Sequence, residues 1–248
     1  MQKDNKEASI WLIRCRDLSI LGKHKEALAC LDKVIKLNPN FADAWAMKGF
    51  ILAGLGKYEE ALDCANKALE IDPNLAKAWD NKGTALVSLG KIKEAMACYN
   101  KALEIDPNLA FAWNMKGAVL VSLGKIKEAM ACYNKALEID PNDVSTWFMK
   151  GVTLAGLGKY EEALDCFDKA LEIKPNFADA WNMKGVTLES LGKYEEALNC
   201  VNKALKINPN FADAWDMKGF ILARLGKYEE ALDCYNKADE LEHRLKSL

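Results

Sequence analysis

Apolar positions spaced three and four residues apart recur along the chain, interrupted at regular intervals by Gly-Lys and Pro-Asn. Over residues 42–55, Ala42, Trp45, Gly49 and Leu52 fall on one helical face. Gly56 follows, a residue that tolerates the left-handed conformation at a helix end. From Tyr58 to Ile71 a second stripe carries Ala61, Leu62, Ala65, Ala68 and Leu69. Glu59 and Glu60 sit in its first turn, where negative charge complements the helix dipole. Asp72-Pro73-Asn74 ends it, because proline cannot continue a helix and pushes the preceding residue toward extended geometry. Two helices joined by so short a turn must lie antiparallel.

This pair is written seven times. Tryptophan stands at Trp11, Trp45, Trp79, Trp113, Trp147, Trp181 and Trp215, each 34 residues from the next. A fixed period of this length predicts a stacked array in which each unit buries its apolar face against its neighbours. The expected organisation is a tail over 1–6 and one array over 7–248. Its units are 7–40, 41–74, 75–108, 109–142, 143–176, 177–210 and 211–244, and the last helix runs on toward the C-terminus. Two copies have barely diverged, since LVSLGKIKEAMACYNKALEIDPN occupies both 86–108 and 120–142. Small residues share fixed positions: Ala27, Ala61 and Ala95 begin one ladder on the second helices, and Gly49, Gly83 and Gly117 begin one on the first. Glycine inside a helix costs about 0.5–1 kcal/mol relative to alanine, so its recurrence at one site signals close helix approach.

Composition narrows the function classes. Against 36 acidic residues stand 34 basic ones in 248, a net charge of −2 with no basic cluster, which argues against nucleic acid. No apolar run approaches the ~18 residues of a membrane span, and the first residues lack a signal-peptide core, so a soluble cytoplasmic protein is expected. Of eight cysteines, seven (from Cys30 to Cys234) obey the period. Equivalent positions on stacked helices lie ~8–10 Å apart, beyond the ~7 Å a disulfide spans, so reduced thiols acting as small hydrophobes are expected. With only His24 and His243 in the chain, neither a metal nor another cofactor is expected. No paired nucleophile and base and no phosphate-cradling loop is present, and the chain reads as a non-enzyme.

The layout Trp45, Gly49, Leu52, Gly56, Tyr58, Ala61, Ala68, Pro73 resembles the tetratricopeptide repeat, a helix-turn-helix unit of 34 residues, over nearly the whole chain. Two departures stand out. Lys48 and its equivalents replace a leucine before the glycine, where the stem can lie on the core and the head stay in water. Cys15 stands where the first unit should carry glycine. The resemblance implies an all-α fold, an α-α superhelix forming a right-handed solenoid, whose concave side is lined by the first helices and binds a peptide or helix. Carried over by position, the groove would present Met47, Met115, Met149, Met183 and Met217, with Asn81 filling the gap in that row. Beside it run Ala46, Asp80, Asn114, Phe148, Asn182 and Asp216, of which Asn114, Phe148 and Asn182 are the candidates, then a third row with Phe50, Val186 and Phe220. Methionine suits surfaces that accept several apolar ligands, and Asn114 and Asn182 would hydrogen-bond an extended main chain. A clamp for a C-terminal carboxylate is argued against by Asp43, Asp179, Asp213 and Asp216. The expected function is a protein-interaction scaffold. The alternative is a self-associating array, stacked end to end through Ile10, Trp11, Leu12 and Ile13 at one terminus and Leu241, Leu245 and Leu248 at the other.

Overall fold

The computed structural model describes residues 2–246, with side chains described from Ala8 to Arg244. Among these residues it contains fourteen helices and no strand, an all-α chain of the α-α superhelical solenoid class. It divides into two compact units, Met1–Ile139 and Asp140–Leu248. The first holds α1 (Gln2–Ile20), α2 (His24–Leu37), α3 (Ala42–Gly54), α4 (Tyr58–Ile71), α5 (Ala76–Ser88), α6 (Ile92–Ile105), α7 (Ala110–Ser122) and α8 (Ile126–Ile139). The second holds α9 (Val144–Gly156), α10 (Tyr160–Ile173), α11 (Ala178–Ser190), α12 (Tyr194–Ile207), α13 (Ala212–Arg224) and α14 (Tyr228–Lys246). Within each unit every odd-numbered helix packs on the even-numbered helix after it, and neighbouring odd-numbered helices also touch. Residues 2–6, expected as a tail, instead form the first turns of α1.

The turn inside each pair requires glycine. Gly56 has φ +75°, and Gly90, Gly124, Gly158, Gly192 and Gly226 repeat that conformation. There the N–H of Lys57 donates to the Leu52 carbonyl at 2.9 Å and that of Gly56 to Ala53 at 3.0 Å. This pair of bonds is the Schellman arrangement, which satisfies carbonyls the helix end leaves bare. The turn between pairs is held differently. The Asn74 N–H donates to Asp72 Oδ1 at 2.9 Å, and Trp79 Nε1 donates to the Pro73 carbonyl, also at 2.9 Å. The same indole bond joins Trp45 to Pro39, Trp113 to Pro107, Trp147 to Pro141, Trp181 to Pro175 and Trp215 to Pro209. The periodic tryptophan therefore serves the interhelical packing and clamps the loop ahead of its own helix.

Glycine on the first helices makes room for a ring. A Cβ built on Gly83 would lie 2.7 Å from Tyr99 Cε1, and one on Gly151 2.7 Å from Phe167 Cε1. Both rings are fully buried. In the second repeat the facing residue is Ala65, and the Cβ would meet the Ala61 carbonyl at 3.1 Å and Cys64 Cβ at 3.3 Å.

That last contact explains a correction. Cys15 and Cys30, expected as reduced thiols, are joined by a disulfide with Cα atoms 5.5 Å apart. Cys15 occupies the Gly49 position of the first repeat and Cys30 the Cys64 position, so the bond crosses one helix pair where the backbones come closest. The expectation concerns only pairing along the ladder between repeats. Closing a loop of 15 residues restrains the unfolded chain by about 3 kcal/mol. The other six cysteines are free and buried. Burial pushes the Cys64 thiol up to about 11 and raises the rest, which keeps them unreactive.

The lysine that replaces leucine is half-buried, and its ammonium sits over the tryptophan three residues earlier, at 5.8 Å for Lys48 on Trp45 and 5.2 Å for Lys116 on Trp113. Lys82, Lys150, Lys184 and Lys218 do the same. Lys48 further donates to Asp32 at 2.6 Å, and Lys184 to Asp168. Cation–π attraction of about 0.5–1 kcal/mol per copy replaces the lost leucine contact.

Candidate binding site

The first helices carry the candidate residues, and in the first unit several of them converge. A cleft of about 420 Å³ is formed by Leu12 and Arg16 of α1, Asp43, Ala46, Met47 and Phe50 of α3, Lys77, Asp80 and Asn81 of α5, with Leu109 and Phe111 at the start of α7. Phe50 is 55% exposed and Phe111 41%, large rings held open to solvent. Met47 is half-buried and leans on the first core cluster. Asn81 spends its amide inside the fold, donating from Nδ2 to the Ala46 carbonyl at 2.8 Å and so tying α5 to α3.

Asp80 is the anomaly of the cleft. It is only 5% exposed, and its Oδ1 has no hydrogen-bond partner. Burial, with no compensating cation, pushes its carboxyl up to about 7. The nearby hydroxyls are engaged elsewhere: Thr84 Oγ1 donates to the Asp80 main-chain carbonyl at 3.2 Å and lies 3.3 Å from the Tyr99 hydroxyl.

Of the remaining candidates in this unit, Asn114 is buried and Met115 packs half-buried against the core around Tyr99, neither lining the cleft. In the second unit Met149, Met183 and Val186 are half-buried, and Met217 leans on the cluster around Val201. Phe148 is held between two rings, 6.0 Å from Phe167 and 5.0 Å from Phe177, and so joins α9 to α10 and to the residue that opens α11. Asn182 is buried with its Oδ1 unpartnered. Phe220 is 43% exposed, with the Arg224 guanidinium over its ring at 5.7 Å. Near it the Asp216 carboxyl is raised by burial and then by Glu242, Asp239 and Asp213.

The position-by-position carry-over thus brings Met47, Phe50 and Asn81 into one cleft. Phe111, at the second position of its helix, is not among the candidates, and Asp80, although it lies in the row of Asn114 and Asn182, is not singled out there as a binding residue. A carboxylate buried without a partner is what sets Asp80 apart from the neutral Asn182 of the same register, and burial depends on three helices at once.

A tetratricopeptide repeat model matches residues 42–75, 76–109, 110–143, 144–177 and 178–211, and two further models of the same repeat match 18–41 and 200–233. The chain belongs to the tetratricopeptide repeat (TPR) family. As a TPR protein it is a scaffold for protein–protein interaction. Among solved structures it is similar to YrrB, described as a TPR protein with an unusual peptide-binding site, at 33% identity and TM-score 0.54 over 74% of this chain and 95% of that one. It also resembles the Cut9–Hcn1 hetero-tetramer of the APC/C (20% identity, TM-score 0.75, 93% of this chain and 46% of that one). A third likeness is to pilF of Pseudomonas aeruginosa (17% identity, TM-score 0.71, 88% and 99%). The last two likenesses concern the TPR fold alone. No curated protein matches the chain in sequence.

Proposed function

We propose that the chain binds a peptide or helix of a partner protein on its first helices, on apolar surfaces built in the first unit around Met47 and Phe50 and in the second around Met149, Met183 and Phe220. The observation that carries this reading is the exposure of those two phenylalanines, 55% and 43%, one in each unit, on first helices whose Met47, Met149 and Met183 are only half covered. Open aromatic rings beside flexible thioethers offer an adaptable apolar surface. The peptide-binding site named for YrrB supports the same class of ligand. Exposure also selects the variant to test: charging half-buried methionines would disturb the core, whereas Phe50→Glu with Phe220→Glu changes only the face. The doubly charged chain should keep its helical circular dichroism and lose the partners that the native chain captures from a cell extract. Partners retained by the variant would move the site to another surface.

A second reading, end-to-end self-association, draws on the N-terminal helix. Ile10 is 62% exposed and Ile13 52%, while Trp11 and Leu12 pack against the first core. At the other end Leu241 is buried on α14, and the side chains of Leu245 and Leu248 lie outside the described residues. A heterologous contact of this kind would grow with concentration. Light scattering that gives one monomer mass across a concentration series excludes it.

A further inference from the structure

We infer that the cleft around Asp80 receives a lysine or arginine side chain of the bound peptide, its cationic head on the Asp80 carboxylate and its aliphatic stem against Phe50 and Phe111. This rests on the groove reading above and adds to it the chemistry of the ligand. Three observations converge on it.

The first is an acceptor without a donor. Asp80 is 5% exposed, its Oδ1 is buried and unpartnered, and the residue forms part of the wall of a cleft of about 420 Å³. A buried charge is normally paired or coordinated, and leaving one bare is costly. Two cations line the same cleft, yet neither meets it: Arg16 pairs with Asp17 through Nε at 3.7 Å, and Lys77 is exposed at the cleft's rim. Asp43, the remaining charged residue of the lining, adds to the negative charge and is exposed.

The second is the repeat itself, which supplies an internal comparison. The register that holds Asp80 holds Leu12, Ala46, Asn114, Phe148, Asn182 and Asp216 in the other repeats. Asn114 and Asn182 are buried there as Asp80 is, so a neutral side chain of the same shape fits the position. Packing therefore does not call for the charge at residue 80. The other carboxylate of the row, Asp216, is exposed where Asp80 is buried.

The third is the surround. Phe50 and Phe111 are exposed beside the carboxylate, and aromatic faces with a carboxylate at their base suit a long alkyl stem ending in a cation. A divalent metal is a poorer occupant, since among the described residues no three His, Cys, Asp or Glu side chains are placed to hold one.

The test begins with selection of random twelve-residue peptides displayed on phage against the full chain. The recovered sequence is then synthesised, along with a copy in which its basic residue is norleucine. Affinities are measured by fluorescence polarisation on the native chain, on Asp80→Asn and on Phe50→Glu. Selected peptides should share a lysine or arginine at one position. On the native chain the norleucine copy should bind about ten- to a hundredfold more weakly, the range for a hydrogen bond to a charged group. On Asp80→Asn, whose fold is checked by circular dichroism, the two peptides should bind alike. If the peptides bind in a Phe50-dependent way but show no basic residue, or if the norleucine penalty persists on Asp80→Asn, the groove reading stands and this inference falls. If no peptide is recovered, both fall.

Discussion

Asp80→Asn stabilises the chain above neutral pH and leaves its stability near pH 4 unchanged. The carboxyl ordinarily titrates at 3.8, and in the fold burial pushes it up to about 7. A folded state that holds its proton more tightly than the unfolded chain is favoured at low pH. As pH rises past 3.8 the unfolded chain releases its proton freely while the folded one cannot, so stability drains away until the folded group also ionises near 7. A gap of roughly three units at about 1.4 kcal/mol each sets an upper figure near 4 kcal/mol, and water drawn into the cleft brings the expected loss to about 2–4 kcal/mol. Asparagine binds no proton in this range and escapes the loss. The measurement is the difference between native and variant stabilities by urea denaturation at pH 4, 6 and 8. Because repeat arrays need not unfold in one step, amide exchange along α5 serves as a local readout. Parallel pH profiles for the two proteins would show that Asp80 is solvated in the fold. A gain in stability on removing a charge from a binding face is the usual sign of function held at the expense of stability. A bound cation would reverse the balance by holding the carboxylate ionised.

Much of the scaffold is legible in the sequence because the repeat multiplies every signal by seven. The second helix read from Tyr58 to Ile71 is the helix observed, and the turn glycine read at Gly56 has the positive φ it needs. What escapes lies across the period rather than along it. Cys15 aligns with Gly49 and Cys30 with Cys64, so the contact that forms the disulfide is written in the numbering, but it runs within a helix pair and not between repeats. The lysine row stands out as a departure, whereas its resting place over tryptophan depends on the tilt of a helix already packed. The row containing Asp80 is legible too. That its carboxylate at Asp80 is buried without a partner is not, because α1, α3 and α7 together close that cleft and each contributes different side chains.

Gly117→Ala should destabilise the first unit, even though alanine is the better helix former. In α7 the added Cβ would lie 2.6 Å from Tyr133 Cε1 and 2.9 Å from Cδ1, closer than any real contact. The ring is fully buried and cannot swing into solvent, so helix and ring must part. Overpacking of this kind costs about 1–3 kcal/mol, against which alanine returns about 0.5–1 kcal/mol of helix propensity. Gly54→Ala is the matched control. A Cβ there meets nothing within 4 Å, so only the propensity acts and the chain should gain up to about 1 kcal/mol. The ring is tested by a double-mutant cycle with Tyr133→Ala, which recreates the Gly49 and Ala65 pairing of the second repeat. Tyr133→Ala alone should be costly because it empties the space the glycine provides. Once the ring is gone, however, Gly117→Ala should cost nothing further or stabilise, a coupling of at least about 1 kcal/mol. Additive effects would mean that the glycine is required by something other than Tyr133. In that case the closest remaining constraint is the approach of the two backbones themselves, which in the second repeat would put a Cβ added to Gly49 3.1 Å from a main-chain carbonyl with no ring present.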